Sequence, residues 1–216
     1  MLEIIKAVLF AIILAATPSP RAGDHGRAGD VPLHYGVATY LAARHHGLDP
    51  FEVGAILLAE NRDRRYDPKQ RGRYNGGGEI GLYQLKKVWA AEAGERCNAA
   101  TRATHHRYSG RGDCLYIAPE DVVRHESSPR AVKRYQGRLA ALDTALVNIE
   151  AAVIAFAYLQ DKRREAWPDV KDWRALFRCS PIVLRPGGSR RLREGNARCR
   201  ASVARVRAWE RAIRGR

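Results

Sequence analysis

Residues 56–90, "ILLAENRDRRYDPKQRGRYNGGGEIGLYQLKKVWA", run from an apolar segment through a basic, glycine-rich loop into Gly81-Leu82-Tyr83-Gln84. Just upstream, Asp49-Pro50 supplies an N-cap and a first-turn proline, so a helix is predicted from there to about Glu60. At about 100° per residue, Glu60 lies within roughly 60° of Val53, Ile56 and Leu57 on the helical wheel. It therefore shares the apolar face. It also ends the helix, where the macrodipole disfavours negative charge. Burial and dipole both penalise the ionised carboxylate, while Arg62, Arg64 and Arg65 favour it. A carboxyl that keeps its proton near neutral pH suits a general acid. The competing reading is a helix frayed at Ala59 that leaves Glu60 an ordinary exposed glutamate.

The bulk properties frame this stretch. A chain of 216 residues holds one domain of ordinary size plus accessories. Hydrophobic content of 45% and charged content of 28% fit a globular protein and exclude a disordered one. Lys and Arg number 38 against 23 Asp and Glu, a formal charge of +15. Such a balance implies an anionic partner: nucleic acid, anionic lipid or envelope polymers. No helix-turn-helix, RNA-recognition or zinc-finger pattern is present, so nucleic acid is not the expected partner.

Residues 7–16, "AVLFAIILAA", follow Lys6 and precede "TPSPRA". This is the pattern of a secretory signal, with small residues for cleavage after Ala16 or Ala22; an uncleaved N-terminal anchor or a stray buried helix is the alternative. No cysteine stands just after the run, which argues against a lipoprotein. Export to the periplasm or beyond is the expectation. Cys97, Cys114, Cys179 and Cys199 form an even set with three conceivable pairings. Local pairs 97–114 and 179–199 would each stabilise by roughly 3 kcal/mol in the chain-entropy model. A zinc site is the rival, but C-x-x-C is absent and the histidines do not fall at ligand spacing. No metal or cofactor is expected.

The rest of the chain reads as helix and loop. Residues 1–22 are read as the signal peptide, 23–30 as a linker, 31–184 as the main domain with an insert at 95–136, and 185–216 as a tail packing on the domain. Tyr35, Val37, Tyr40 and Leu41 predict an amphipathic helix that stops at Gly47. A short helix is predicted from Gln84 to Ala93. "DTALVNIEAAVIAFAYLQD", from Asp143, is the most apolar run outside the N-terminus and predicts a helix buried nearly all round. The tail carries 11 Arg against 2 Glu, with Val203, Val206, Trp209 and Ile213 at helical spacing. No convincing strand pattern or repeat is visible. The fold class is mainly α with irregular loops.

"AENRDRRYDPKQRGRYNGGGEIGLYQL" resembles the lytic transglycosylases, muramidase-like enzymes related to goose-type lysozyme. Their hallmark is a helix-ending Glu, usually followed by Ser, and then a Gly-x-x-Gly-Leu-x-Gln motif. Glu60 stands at the acid and Asn61 at the serine position. Gly78, Gly81, Leu82 and Gln84 stand at the second motif, with Tyr83 where Met is common. "NIEAAVIAFAYL" (148–159) looks like the family's Asn-Ile helix, with Tyr158 as its tyrosine. "WRALFRCSP" (173–181) is nearest to the Ala-Tyr-Asn segment and carries Arg178 and Cys179 there.

The resemblance implies a lysozyme-like helical domain that binds peptidoglycan glycan strands and cleaves the MurNAc–GlcNAc β-1,4 bond. Glu60 would be catalytic, and Asn61, Glu79, Gly81, Leu82, Tyr83, Gln84 and Tyr158 would bind substrate. The single acid suits closure of a 1,6-anhydro ring better than paired-carboxylate schemes. Glu79, beside the glycine turn, is either a second carboxylate or a solvated one. A hydrolytic lysozyme of the same fold and a non-catalytic basic wall- or nucleic-acid-binding protein are the alternatives. The resemblance also leaves room for anionic envelope polymers or secretion machinery as partners of a monomer. Tyr66, Tyr74 and Tyr83 read equally as sugar platforms or loop packing. The His45-His46 and His105-His106 pairs read as surface residues, and Trp89 and Trp173 as core.

Overall fold

The computed structural model describes residues 1–20, 31–61, 66–69, 79–86, 93, 97, 114–117, 144–166, 172–174, 177 and 190–215. Within them the chain is mainly helical. In order come α1 (Leu2–Ala16), α2 (Leu33–His45), α3 (Pro50–Asn61), β1 (Glu79–Ile80), β2 (Leu85–Lys86), α4 (Ala145–Ala166) and α5 (Arg190–Ile213). None of the described helices is long and apolar enough to cross a membrane.

Helix α2 lies against both α1 and α4, and α3 packs on α2 and α5. This sandwiching corrects the amphipathic reading of α2. Gly36, Ala38, Thr39, Tyr40, Ala42 and Ala43 are buried, whereas Tyr35, Val37 and Leu41 are only partly so. Small residues face neighbours on two sides because helix axes approach closely only where side chains are short. At Gly36 a Cβ would lie 2.6 Å from the Cβ of Ala11 in α1. At Gly54 in α3 it would lie 2.8 Å from the ring of Phe10. Phe10 in turn meets Tyr40 and, edge to face, Phe51 at 5.4 Å between centroids. Burying Phe10 and Leu14 contributes about 1.5–3 kcal/mol each.

Asp49 starts α3 by accepting a hydrogen bond from the Phe51 amide (2.9 Å), as the Asp-Pro pair predicts. Gly47 follows α2 with φ +74, the left-handed conformation that ends helices. The apolar run does form a helix, buried without interruption from Asn148 to Ala157. Along α5, Val203, Val206, Trp209 and Ile213 are all buried.

Charged side chains tie α5 down. Asp172 accepts from Arg174 Nε and Arg207 Nε, both at 2.8 Å. Arg174 also donates to Glu210, and Arg214 bridges Glu210 to Asp49. Burial raises the Asp172 pKa, but the hydrogen bonds and charge of Arg174, together with the Arg207 hydrogen bond, outweigh it and hold the carboxyl below its ordinary value. Trp173 is core, its indole N–H donating to Glu52 at 2.9 Å.

The helix predicted from Gln84 is not formed at its start. Gly81 at φ +76 and Gln84 at φ +50 reverse the chain, and Leu85 pairs antiparallel with Ile80. Two left-handed residues within four positions are incompatible with entering a helix there. A disulfide joins Cys97 to Cys114 with Cα atoms 5.7 Å apart, and Cys199 is also disulfide-bonded. Cys179, Arg178, Trp89, Tyr74, Gly78, His105, His106 and most of the 95–136 insert lie outside the described residues.

Candidate functional site

The Gly-Leu-Tyr-Gln segment is the turn of a hairpin, residues 81–84 linking β1 and β2. Its closing bond runs from the Gln84 amide to the Gly81 carbonyl (3.1 Å), and the Gln84 side-chain nitrogen donates to the same oxygen (2.8 Å). The glycine is required twice over. Its φ is left-handed, and a Cβ would fall 2.2 Å from the Asn148 side-chain nitrogen.

Two asparagines hold this bend from opposite helices. From α3, Asn61 Nδ2 donates to the Leu57 carbonyl of its own helix (2.8 Å) and to the Leu82 carbonyl of the bend (2.6 Å). From α4, Asn148 accepts from the Tyr83 amide (3.4 Å) and donates to the Ile80 carbonyl (3.3 Å). The end of α3 is thereby stitched to the turn that lies 21 residues later. Glu60 directly precedes the stitching residue and is half-buried in the last turn of α3. The helix extends through Asn61, so fraying at Ala59 is not what is found.

The residues of the bend divide by what they touch. Leu82 is fully buried. Tyr83 is fully buried too, its ring edge-on to Phe156 (5.6 Å) and its hydroxyl hydrogen-bonded with Thr39 Oγ1 at 3.1 Å. Burial pushes its phenol pKa well above the ordinary value. Its face is thus committed to the core, which fits loop packing better than sugar stacking. Gln84 is 4% exposed, and its Oε1 is a buried acceptor with no hydrogen-bond partner among the described residues. A buried orphan acceptor costs free energy unless water or a ligand satisfies it. Glu79 contributes its backbone to β1. Tyr158 is half-buried on α4, with the Lys162 ammonium 5.6 Å from its ring centroid. Tyr66 is buried, at φ +49.

A second polar cluster escaped sequence reasoning. Glu150 is fully buried on α4, and its two oxygens receive four donors. Oε1 accepts from the Leu115 amide (2.6 Å) and His46 Nε2 (3.0 Å); Oε2 accepts from the Tyr116 (2.6 Å) and Ile117 (2.9 Å) amides. Burial raises its pKa, but the His46 bond and the three backbone amides outweigh that, and the carboxyl lies below its ordinary value. His46 is therefore corrected from surface to interior: its side chain is 8% exposed. The available signal was that Asn148 and Glu150 are the only polar residues between Ala145 and Ala157. Polar groups in such a run need partners, and these two have them.

Among the described residues, no group of three His, Cys, Asp or Glu side chains is placed to hold a metal ion. Comparison with known proteins gives no matching family model, no matching characterised protein and no matching solved structure.

Proposed function

We propose that the protein is a peptidoglycan lytic transglycosylase with Glu60 as its acid and base. The observation that carries this reading is the 2.6 Å bond from Asn61 to the Leu82 carbonyl. It joins the helix end bearing Glu60 to the Gly-Leu-Tyr-Gln bend, the pairing of motifs that the resemblance calls for. The orphan Oε1 of Gln84 adds support, since a sugar hydroxyl or N-acetyl N–H would satisfy it.

The chemistry needs one carboxyl. Protonated Glu60 gives its proton to the glycosidic oxygen as the C1–O bond of MurNAc breaks, with charge developing on the anomeric carbon. The resulting carboxylate then takes the proton of the same sugar's 6-hydroxyl as that oxygen bonds to C1. The products are a free GlcNAc 4-hydroxyl and a 1,6-anhydro ring, with no water consumed and Glu60 reprotonated. Partial burial at a helix C-terminus favours the protonated starting state. The substrate is glycan strand outside the cytoplasm, where the disulfide is stable and the +15 charge is drawn to anionic envelope polymers.

Digestion of purified peptidoglycan, read by mass spectrometry, tests the proposal. Anhydromuropeptides are the expected products; reducing ends would instead identify a hydrolytic lysozyme, and no release would exclude both. Glu60→Gln keeps the side-chain shape and removes the acid. It is expected to abolish release while lowering the melting temperature by only about 2–4 °C, the effect of about 1 kcal/mol in a chain of this length.

A further inference from the structure

We propose that α1 remains part of the mature protein and that its outer face docks the domain on an anionic lipid surface. The inner face shows why the helix belongs to the fold. A segment needed only for export requires apolarity and nothing that fits it. Here α2 and α3 each turn a glycine to α1: Gly36 against Ala11, and Gly54 against the side chains of Phe10 and Leu14. Any larger residue would collide with α1 at both places. Phe10 fills the space between Tyr40 and Phe51, and the Tyr40 hydroxyl donates to Glu3 at 3.3 Å. Removing residues 1–16 would uncover that whole seat.

The outer face needs a partner of its own. Ile5, Val8, Leu9, Ile12 and Ile13 are between 40% and 55% exposed, and no polar residue interrupts α1 from Ala7 to Ala16. A contiguous aliphatic ridge of this kind marks an interaction surface. A protein partner is the poorer fit, because the ridge itself is aliphatic throughout and offers no Trp, Tyr or Arg anchor. Hydrocarbon asks for neither. With 15 residues, α1 is about 22 Å long, shorter than the roughly 30 Å hydrocarbon core. Its other side is occupied by protein, so it lies along the membrane interface and does not cross it.

Charge selects the kind of lipid. Lys6 and Arg44 flank the first half of α1, and Glu3 offsets only one of them. At the second half, Phe10 touches Phe51, whose ring is capped by Arg214 from the end of α5 at 4.7 Å. Arg214 is itself paired with Asp49 and Glu210, so Lys6 and Arg44 are the cations that flank the ridge. Lys6 and Arg44 beside an aliphatic ridge, on a chain whose total charge is +15, match an anionic leaflet.

This inference stands apart from the glycan-cleaving activity, and its test uses the full chain. Intact-mass measurement on protein from the exporting host is expected to find residues 1–22 retained. Flotation with phosphatidylcholine vesicles, with and without phosphatidylglycerol, is expected to show binding that rises with the anionic lipid and weakens with salt. Replacing the exposed Leu9, Ile12 and Ile13 together by Gln should lower vesicle affinity by about tenfold or more, with an unchanged circular-dichroism melt. A mature chain beginning at Thr17 or Gly23 would overturn the proposal. So would failure to float, or self-association through the ridge without vesicle binding. Equal binding to neutral vesicles would overturn the choice of an anionic surface.

Discussion

Glu150→Gln probes a carboxylate that receives four donors, three of them backbone amides. The carboxylate's two oxygens offer about four acceptor sites, and four donors take them: three backbone amides and His46. Glutamine keeps one oxygen and replaces the other by a donor. In its better orientation the oxygen faces Tyr116 and Ile117, and the new NH2 faces the Leu115 amide and His46. The imidazole can exchange tautomer and accept; the Leu115 amide cannot. Losing charge assistance on two bonds and setting donor against donor on a third costs about 3 kcal/mol at neutral pH. For a chain of this length that is a fall of roughly 6–12 °C in melting temperature. Calorimetry measures the fall, and hydrogen exchange at amides 115–117 assigns it, since those amides should lose protection first. The pH dependence supplies a second check. The folded-state pKa lies below the ordinary 4.5, so this carboxylate's contribution is complete above that value and is lost as pH falls through the lowered one. The gap between parent and variant should therefore be at full size at neutral pH and close as pH falls through the lowered carboxyl value, below 4.5. A variant melting within about 2 °C of the parent, with amides 115–117 still protected, would refute the clamp.

Gly81→Ala combines a left-handed φ with a Cβ 2.2 Å from Asn148, and is expected to cost about 3 kcal/mol or more and to abolish any activity. Gly47→Ala is its control in the same thermal melts. It has a similar φ of +74 with nothing within 4 Å, so only about 1 kcal/mol is expected. Asp172→Asn leaves the nearly buried Arg174 with Glu210 as its remaining carboxylate, a loss of about 2–3 kcal/mol in urea titrations at neutral pH. The Asp172 carboxyl is also held low, so that loss too should shrink as pH drops below its ordinary value of 3.8.

What the sequence made legible follows from how local each cause is. Asp49-Pro50 marked the start of α3, and the 145–157 run marked a buried helix, because caps and apolar runs act through adjacent residues. The spacing of Val203, Val206, Trp209 and Ile213 likewise predicted a buried stripe. Helix α2 was misjudged because its small residues become meaningful only when α1 lies across them. The hairpin at 79–86 was hidden for a related reason: its left-handed Gln84 depends on Asn61 and Asn148, which are remote in sequence. His46 looked like surface until Glu150, 104 residues away, came within 3.0 Å. Tyr83 is the same case, since Thr39 and Phe156 decide its burial.

The position of the bend relative to Glu60 depends on Asn61, the residue that follows it. In the family proposed above that position is usually serine. A serine hydroxyl carries one hydrogen and serves one carbonyl at a time. The Asn61 amide nitrogen carries two, and they reach Leu57 within α3 and Leu82 in the bend together. The first bond fixes the side chain's direction on the helix; the second transmits that direction to the turn. On the far side, Asn148 holds the turn and Glu150, two residues on, holds residues 115–117 beside the Cys97–Cys114 disulfide. A single helical turn of α4 thus anchors both the bend and the loop segment that follows Cys114. Neither attachment is apolar, so both depend on register: a shift of α4 by one residue would break them together. Long-range polar bonds of this kind set the geometry around Glu60, and the apolar packing of α2 keeps α4 from sliding.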